Sequence, residues 1–157
     1  MHKKTPMRHV SLGTAESMSD KRVFYRLNAM MSMSMVPALR QEIFEIVDHF
    51  KPLKFILEVD RLHRFGGAGL AVLVEIKRHM PPEGRIYLVH VHTMVRGMIE
   101  IGQLQNLFTI VDDLPHEEAL ELLHGSTCLL EAPFVDKILS GPPIENIKGT
   151  LEGGGHA

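Results

Sequence analysis

The sequence predicts an α/β fold, in which a single layer of mixed, mostly parallel sheet with four to five strands carries about four helices. One observation is the run LKFILEV at residues 53–59, where apolar residues are too dense for a strand with one exposed face. A second observation is that strand-like and helix-like segments alternate over residues 23–123, which favours βαβ units. A chain of 157 residues is long enough to form one such domain unaided.

The amino-terminal part of the chain predicts an arm, then a strand and a helix. Residues 1–21 are polar and without period, which predicts a mobile arm outside the domain. The segment VFYRL at residues 23–27 is β-branched and aromatic, as is typical of a strand. Apolar residues recur at helical spacing over residues 36–49, and Pro52 ends that helix. The methionine-rich loop at residues 29–35 is either core filler or an adaptable partner-binding patch.

Further strands and helices alternate after the central strand. Glycines within residues 66–69 open a helix that runs to residue 80, and RIYLVHV at residues 85–91 is the next strand. Thr93 is expected to cap a third helix, and a short strand at residues 107–111 precedes a fourth helix. We therefore assign residues 22–124 to the domain. Residues 125–157 form a C-terminal extension that is partly disordered, or that docks onto the domain or onto another copy in a homodimer.

The composition argues against several classes of protein. A net charge of −2 and a pI near 6.5 give no overall attraction to nucleic acid. Cys128 has no second cysteine with which to form an internal disulfide, and the first ten residues lack the apolar stretch of a secretory signal. No run approaches the ~20 apolar residues of a membrane span. We therefore expect a cytoplasmic protein without a membrane span.

Two long segments resemble the STAS domain, the module of anti-sigma factor antagonists and of sulfate transporter tails. They read FILEVDRLHRFGGAGLAVLVEIKRHM at residues 55–80 and RIYLVHVHTMVRGMIEIGQLQNLFTIVDDLPHEEALELL at residues 85–123. The resemblance spans residues 22–124 and implies a regulatory domain that binds other proteins and is not an enzyme. In partner-switching antagonists of this family, an Asp-Ser-Ser-Gly motif carries a serine, which is phosphorylated by a kinase that is itself the anti-sigma factor.

The family motif falls here on Gly66-Gly67-Ala68-Gly69, so the usual phosphorylation site is absent. Gly67 stands at the serine position and has no hydroxyl group, and Gly66 removes the neighbouring carboxylate. The resemblance therefore implies that binding at this corner persists while its phosphorylation switch is lost or has moved. The alternative is that the surface has turned to another partner.

The order of the segments and the resemblance together predict one partner-binding face at the strand ends. The implied partner is an anti-sigma factor or a histidine-kinase-like ATPase, and the alternative is the ATPase of an ABC lipid-transport system. No cofactor is implied. The predicted face consists of Met33, Met35, Arg61, Arg64, Phe65, Gly66, Gly67, Ala68, Gly69, His92 and Thr93.

Two kinds of ligand site are alternatives to a purely protein-binding face. Arg61, His63 and Arg64 precede a helix start, where an anion or nucleotide could gain side-chain charge and backbone donors. The sequence GGAG nevertheless lacks the ending of a P-loop. His90 and His92 would point the same way on a strand, but two nitrogen ligands fall short of a zinc site.

Catalysis and self-assembly complete the alternatives. Glu58 and Asp60 would face one side of the central strand, but no third polar group accompanies them and no nucleophile lies beside a base. We therefore expect a non-catalytic module. A structural scaffold that assembles through residues 125–157 is a further alternative.

Overall fold

A computed structural model of the chain describes residues 4–6, 12–27, 33–59 and 66–126. Its strands are β1 (Lys4–Pro6), β2 (Gly13–Met18), β3 (Arg22–Leu27), β4 (Lys54–Glu58), β5 (Arg85–Val89) and β6 (Phe108–Ile110). Its α-helices are α1 (Val36–Phe50), α2 (Gly66–His79), α3 (Thr93–Ile101) and α4 (His116–Leu123). Two 3-10 turns, Met33–Met35 and Val111–Asp113, precede α1 and α4.

The strands form one mixed sheet in the order β1-β2-β3-β4-β5-β6. β1 and β2 pair antiparallel, as do β2 and β3, whereas β3, β4, β5 and β6 pair in parallel. The predicted α/β class with a mostly parallel sheet is therefore confirmed. The described sheet extends to six strands because two strands precede the first predicted one.

The central strand β4 is covered on both faces, as its dense apolar run predicts. Phe55 and Leu57 belong to a core that includes buried side chains of α1, α2 and α3. Ile56 points to the other face, into a smaller core shared with Phe24 and with the buried side of α4. The alternation follows from the two-residue period of a strand, and it places three helices on one face and α4 on the other.

The amino-terminal segment differs from the mobile arm predicted over residues 1–21. Residues 13–18 form β2, which pairs along its length with β3, and Ala15 of this strand is fully buried opposite Tyr25. The prediction failed there because the sequence GTAESM carries no apolar alternation, while the β2–β3 backbone ladder does not depend on side-chain type. Residues 127–157 lie outside the described residues, and the other domain boundaries stay predictions.

Buried polar contacts fix β2 and α4 to the rest of the domain. The Tyr25 hydroxyl donates to Glu42 of α1 at 2.8 Å, and the backbone N–H of Leu12 donates to the same carboxylate at 3.4 Å. Burial and the Glu42 carboxylate raise the pKa of Tyr25 well above its usual value, so its hydroxyl keeps its proton. On the other face, the buried Arg22 donates to the carbonyl of Leu122 at 2.8 Å, at the end of α4.

Candidate functional site

Three helices begin at the edge of the sheet where the parallel strands end. α1 follows β3, α2 follows β4 and α3 follows β5, and α2 packs against both other helices. Successive βαβ units therefore bring the three helix starts side by side, with α2 in the middle. In open α/β sheets this carboxyl edge is where ligands and partners usually bind.

The middle helix α2 starts without side chains to shield its backbone. Gly66 is its first residue, and Gly67 is exposed to solvent. A Cβ atom built at Gly67 would meet no atom of the other described residues packed around it within 4 Å. Ala68 is half-buried and Gly69 is buried, so the exposed part of this start is centred on Gly67. The first N–H groups of a helix have no partner within the helix, which leaves backbone donors at this position.

Methionine side chains are exposed beside the start of α1. Met33 and Met35 lie in the 3-10 turn before the helix and are 56% and 38% exposed. Their exposure favours the partner-patch interpretation over the core-filler interpretation for these two residues. The other methionines of the loop lie outside the described residues.

The start of α3 differs in detail from the predicted one. His92 is the N-cap, because its Nδ1 accepts from the backbone N–H of Met94 at 3.1 Å, so the predicted cap at Thr93 is wrong and Thr93 is the first helical residue. Strand β5 ends at Val89, and His90 adopts a left-handed φ of 61°. His90 and His92 are therefore not strand neighbours that point the same way.

The structure adds two features of this edge that the sequence did not single out. Met94, in the first turn of α3, is 54% exposed and extends the methionine surface to the far side of α2. Nδ1 of His90 lies 3.4 Å from the buried carboxylate of Glu58, which links the ends of β4 and β5. No local signal separates Met94 from Val95 and Ile99, because all three are apolar and the rotation of α3 on the sheet decides which of them is buried.

A surface ion pair connects the first turn of α3 to the turn that follows β6. Arg96 donates to the carboxylate of Asp113 at 3.0 and 3.2 Å, and this hydrogen bond raises the pKa of Arg96 above its usual value. The guanidinium therefore stays charged at every physiological pH. The contact ties the first turn of α3 to the 3-10 turn that follows β6.

The structure thus brings most of the predicted face together. Met33, Met35, the start of α2 and the start of α3 meet at the carboxyl edge, and with Met94 they form what we call the strand-end face. Arg61, Arg64 and Phe65 lie outside the described residues, as do Asp60 and His63, so their placement stays a prediction. Within the described ranges, no group of three or more His, Cys, Asp or Glu residues could hold a metal ion.

The described helices are short. Among the helices of the described segments, none combines the length and the apolar character needed to cross a bilayer.

Comparisons with solved structures find the same fold in two anti-sigma factor antagonists and in one further protein. An anti-sigma factor antagonist from Mycobacterium paratuberculosis matches with a TM-score of 0.53 and 18% identity, over 77% of this chain and 92% of that chain. The anti-sigma factor antagonist SpoIIAA in its unphosphorylated form matches with a TM-score of 0.55 and 19% identity, over 73% of this chain and 98% of that chain. The NMR structure of the protein TM1081 matches with a TM-score of 0.52 and 16% identity, over 76% of this chain and 93% of that chain.

Sequence comparisons place the chain in a family. No curated protein matches it. A family model for the STAS domain matches residues 15–116, a span that includes most of β2 and every element from β3 to β6. Because this span is more than half of the 157 residues, the chain belongs to the STAS domain family.

Proposed function

We propose that the protein is a non-catalytic, protein-binding regulatory module of the anti-sigma factor antagonist type, and that it acts in bacterial partner switching. Membership of the STAS family and the fold shared with two anti-sigma factor antagonists support this proposal. The observation that carries it is the strand-end face, where the open start of α2 lies between exposed methionines in the turn before α1 and on α3.

The chemistry of the strand-end face suits a protein partner. Exposed methionines repack easily around a partner surface, and Met33, Met35 and Met94 supply such contacts on both sides of α2. The bare start of α2 supplies backbone N–H donors and a weak positive potential between them. This combination of an apolar surface with central polar groups is the usual arrangement of a protein interface. The proposed partner is an anti-sigma factor or a histidine-kinase-like ATPase.

The proposed module lacks the serine switch of its family. Gly67 occupies the position of the phosphorylated serine, and no residue from Gly66 to Gly69 carries a hydroxyl group. Phosphorylation at this position therefore cannot release the partner. We propose that the protein binds its partner constitutively through this face, unless a residue elsewhere takes over the switch.

Affinity capture from the native cell extract tests the proposal. The full chain is used as bait beside two variants, Gly67→Asp and the uncharged control Gly67→Ala, and the retained proteins are identified by mass spectrometry. A histidine-kinase-like ATPase or an anti-sigma factor retained by the wild type and by Gly67→Ala, but lost with Gly67→Asp, supports the proposal. Capture of an ABC ATPase instead would support the alternative function in lipid transport. Equal capture by all three baits would contradict binding at Gly67.

A further inference from the structure

The amino edge of the sheet, where the parallel strands begin, concentrates positive charge at the end of the domain opposite the strand-end face. β3, β4 and β5 start at this edge, and α1 and α2 end there. Most of the Lys and Arg residues whose side chains are described lie at this edge, whereas Arg26, Arg40 and Arg96 lie elsewhere. We call this surface the basic edge; its cations are Lys21, Lys51, Lys54, Lys77, Arg78 and Arg85.

Backbone hydrogen bonds fix the centre of the basic edge. The carbonyl of Lys21 accepts from the N–H groups of Leu53 and Lys54 at 2.9 and 3.2 Å, and the carbonyl of Leu53 accepts from the N–H of Arg85 at 2.9 Å. Adjacent strands lie about 4.8 Å apart. Cations from three strand starts therefore share one narrow strip, and their positions are set by the rigid sheet.

The charges of the basic edge are not neutralised by neighbouring carboxylates. Among the described residues, none of its six cations forms an ion pair, while Arg40 and Arg96 outside it pair with Glu75 and Asp113. Two nearby carboxylates are engaged by other side chains. Asp20 pairs with the buried Arg22, and Asp48 pairs with His79. Glu83, in the turn before β5, is an exposed acid next to the strip, and the exposed Glu118 and Glu121 line a cleft with Lys54 without forming an ion pair with it.

An exposed leucine lies among the cations of the basic edge. Leu53 is 38% exposed between Lys54 and the strand starts of β3 and β5. Beside it, Lys77 and Arg85 line a cleft of about 380 Å³ together with Asn106 and Thr109. An apolar side chain surrounded by cations is the pattern with which proteins enter the headgroup layer of anionic membranes.

We propose that the basic edge docks the domain onto a bilayer that contains anionic phospholipids, with Leu53 in the headgroup layer. A nucleic acid is the less suitable partner, because no Phe or Tyr side chain of the described residues is exposed for base stacking. Docking at this edge turns the strand-end face away from the bilayer. This inference is independent of the proposed regulatory function, since it rests on the opposite end of the sheet.

Vesicle sedimentation of the full chain tests the proposal. Vesicles of phosphatidylcholine alone are compared with vesicles that contain 30% phosphatidylglycerol, a generic composition, at about 50 and 200 mM salt. The wild type should bind only the anionic vesicles, and more weakly at the higher salt. Each basic side chain near an anionic surface contributes about fivefold to partitioning, so Lys54→Gln/Arg85→Gln should lower binding by at least about tenfold. Leu53→Ser should lower it a few-fold.

Matched variants separate a docking surface from a general charge effect. Lys54→Glu/Arg85→Glu should abolish sedimentation, whereas Arg40→Glu/Arg96→Glu, with the same change in net charge, should leave most of it. Both control sites lie in surface ion pairs, whose loss costs little stability. The milder glutamine variant keeps the test valid if the reversed pair does not fold.

Several outcomes would overturn the inference. They are absence of sedimentation with anionic vesicles at low salt, and equal losses for the two charge-reversed pairs. Displacement by about 10 mM inorganic phosphate at constant ionic strength would assign the cations to a small-anion site in the cleft instead. Tighter binding to duplex DNA or to polyglutamate than to the vesicles would assign the edge to another class of macromolecule.

Discussion

The substitution Gly67→Asp should change folding and partner binding in opposite directions. A Cβ atom at this position meets no described residue within 4 Å, so we expect the new group to be accommodated without a clash. Removing a glycine from a helix stabilises a protein by about 0.4–1 kcal/mol, and a carboxylate in the first turn of a helix adds about 0.3–1 kcal/mol. We therefore expect the free energy of unfolding to rise by about 1 kcal/mol and Tm by about 4 °C.

Partner binding should weaken because the same carboxylate lies at the centre of the strand-end face. It adds a charge that a partner must desolvate, and it fills the space above the exposed start of α2. We expect the affinity to fall more than tenfold, which corresponds to about 1.4 kcal/mol or more. Thermal unfolding followed by circular dichroism measures the first effect, and biolayer interferometry with the captured partner measures the second.

Two control variants divide the effect of Gly67→Asp into its causes. Gly67→Ala should stabilise the fold but bind normally, because it adds neither charge nor length. Ala71→Asp places the same charge one turn further along the exposed side of α2 and should reduce affinity much less. A twofold or smaller change in affinity for Gly67→Asp would refute the interface assignment, and a lower Tm would refute the open geometry of the helix start.

Three further predictions concern the fold. Gly13→Ala should destabilise the domain by about 2 kcal/mol in chemical denaturation, because its Cβ would lie 2.5 Å from the ring of Tyr25; an unchanged midpoint would contradict that packing. The pKa of Tyr25 is raised in the folded state, so its contribution to the free energy of unfolding is fully present below pH ~10. Above that pH the contribution is lost at up to about 1.4 kcal/mol per pH unit, and Tyr25→Phe should make the free energy of unfolding less dependent on pH in this range. The variant also removes the hydroxyl that donates to Glu42, so the stability of the variant at pH 7 should fall by about 1 kcal/mol. Arg22→Met should cost about 2–3 kcal/mol and increase amide exchange in α4 first, because the Leu122 carbonyl loses its donor.

Most of the fold could be predicted because its elements carry strong periodic patterns. The strands β3 to β6 and the four described helices coincide with apolar runs or helical repeats, and such patterns predict secondary structure directly. β2 could not be predicted, since its sequence GTAESM is held by a backbone ladder and by contacts to residues distant in sequence. The confusion of Thr93 with His92 as a cap has a local origin: both side chains can accept a backbone N–H, and the end of β5 decides which residue does so.

The candidate site was predictable in position but not in detail. Parallel strands and their crossover helices place the glycine turn, the methionine loop and the start of α3 at one edge, whatever the side chains are. Exposure cannot be derived in the same way, because it depends on how each helix is rotated on the sheet. Rotation of α3 buries Val95 and Ile99 and leaves Met94 exposed, and the apolar pattern alone did not distinguish these alternatives.

Two glycines differ in whether the fold requires them. At Gly13, any side chain would collide with Tyr25 and with the backbone carbonyl of Arg26, so the sheet itself requires glycine. At Gly67, a Cβ atom meets no described residue within 4 Å, and substitution is expected to stabilise the helix. Packing of the described residues therefore does not explain glycine at position 67. The proposed binding of a partner at the start of α2 would account for the absence of a large or charged side chain, because such a side chain would stand between the partner and the backbone N–H groups.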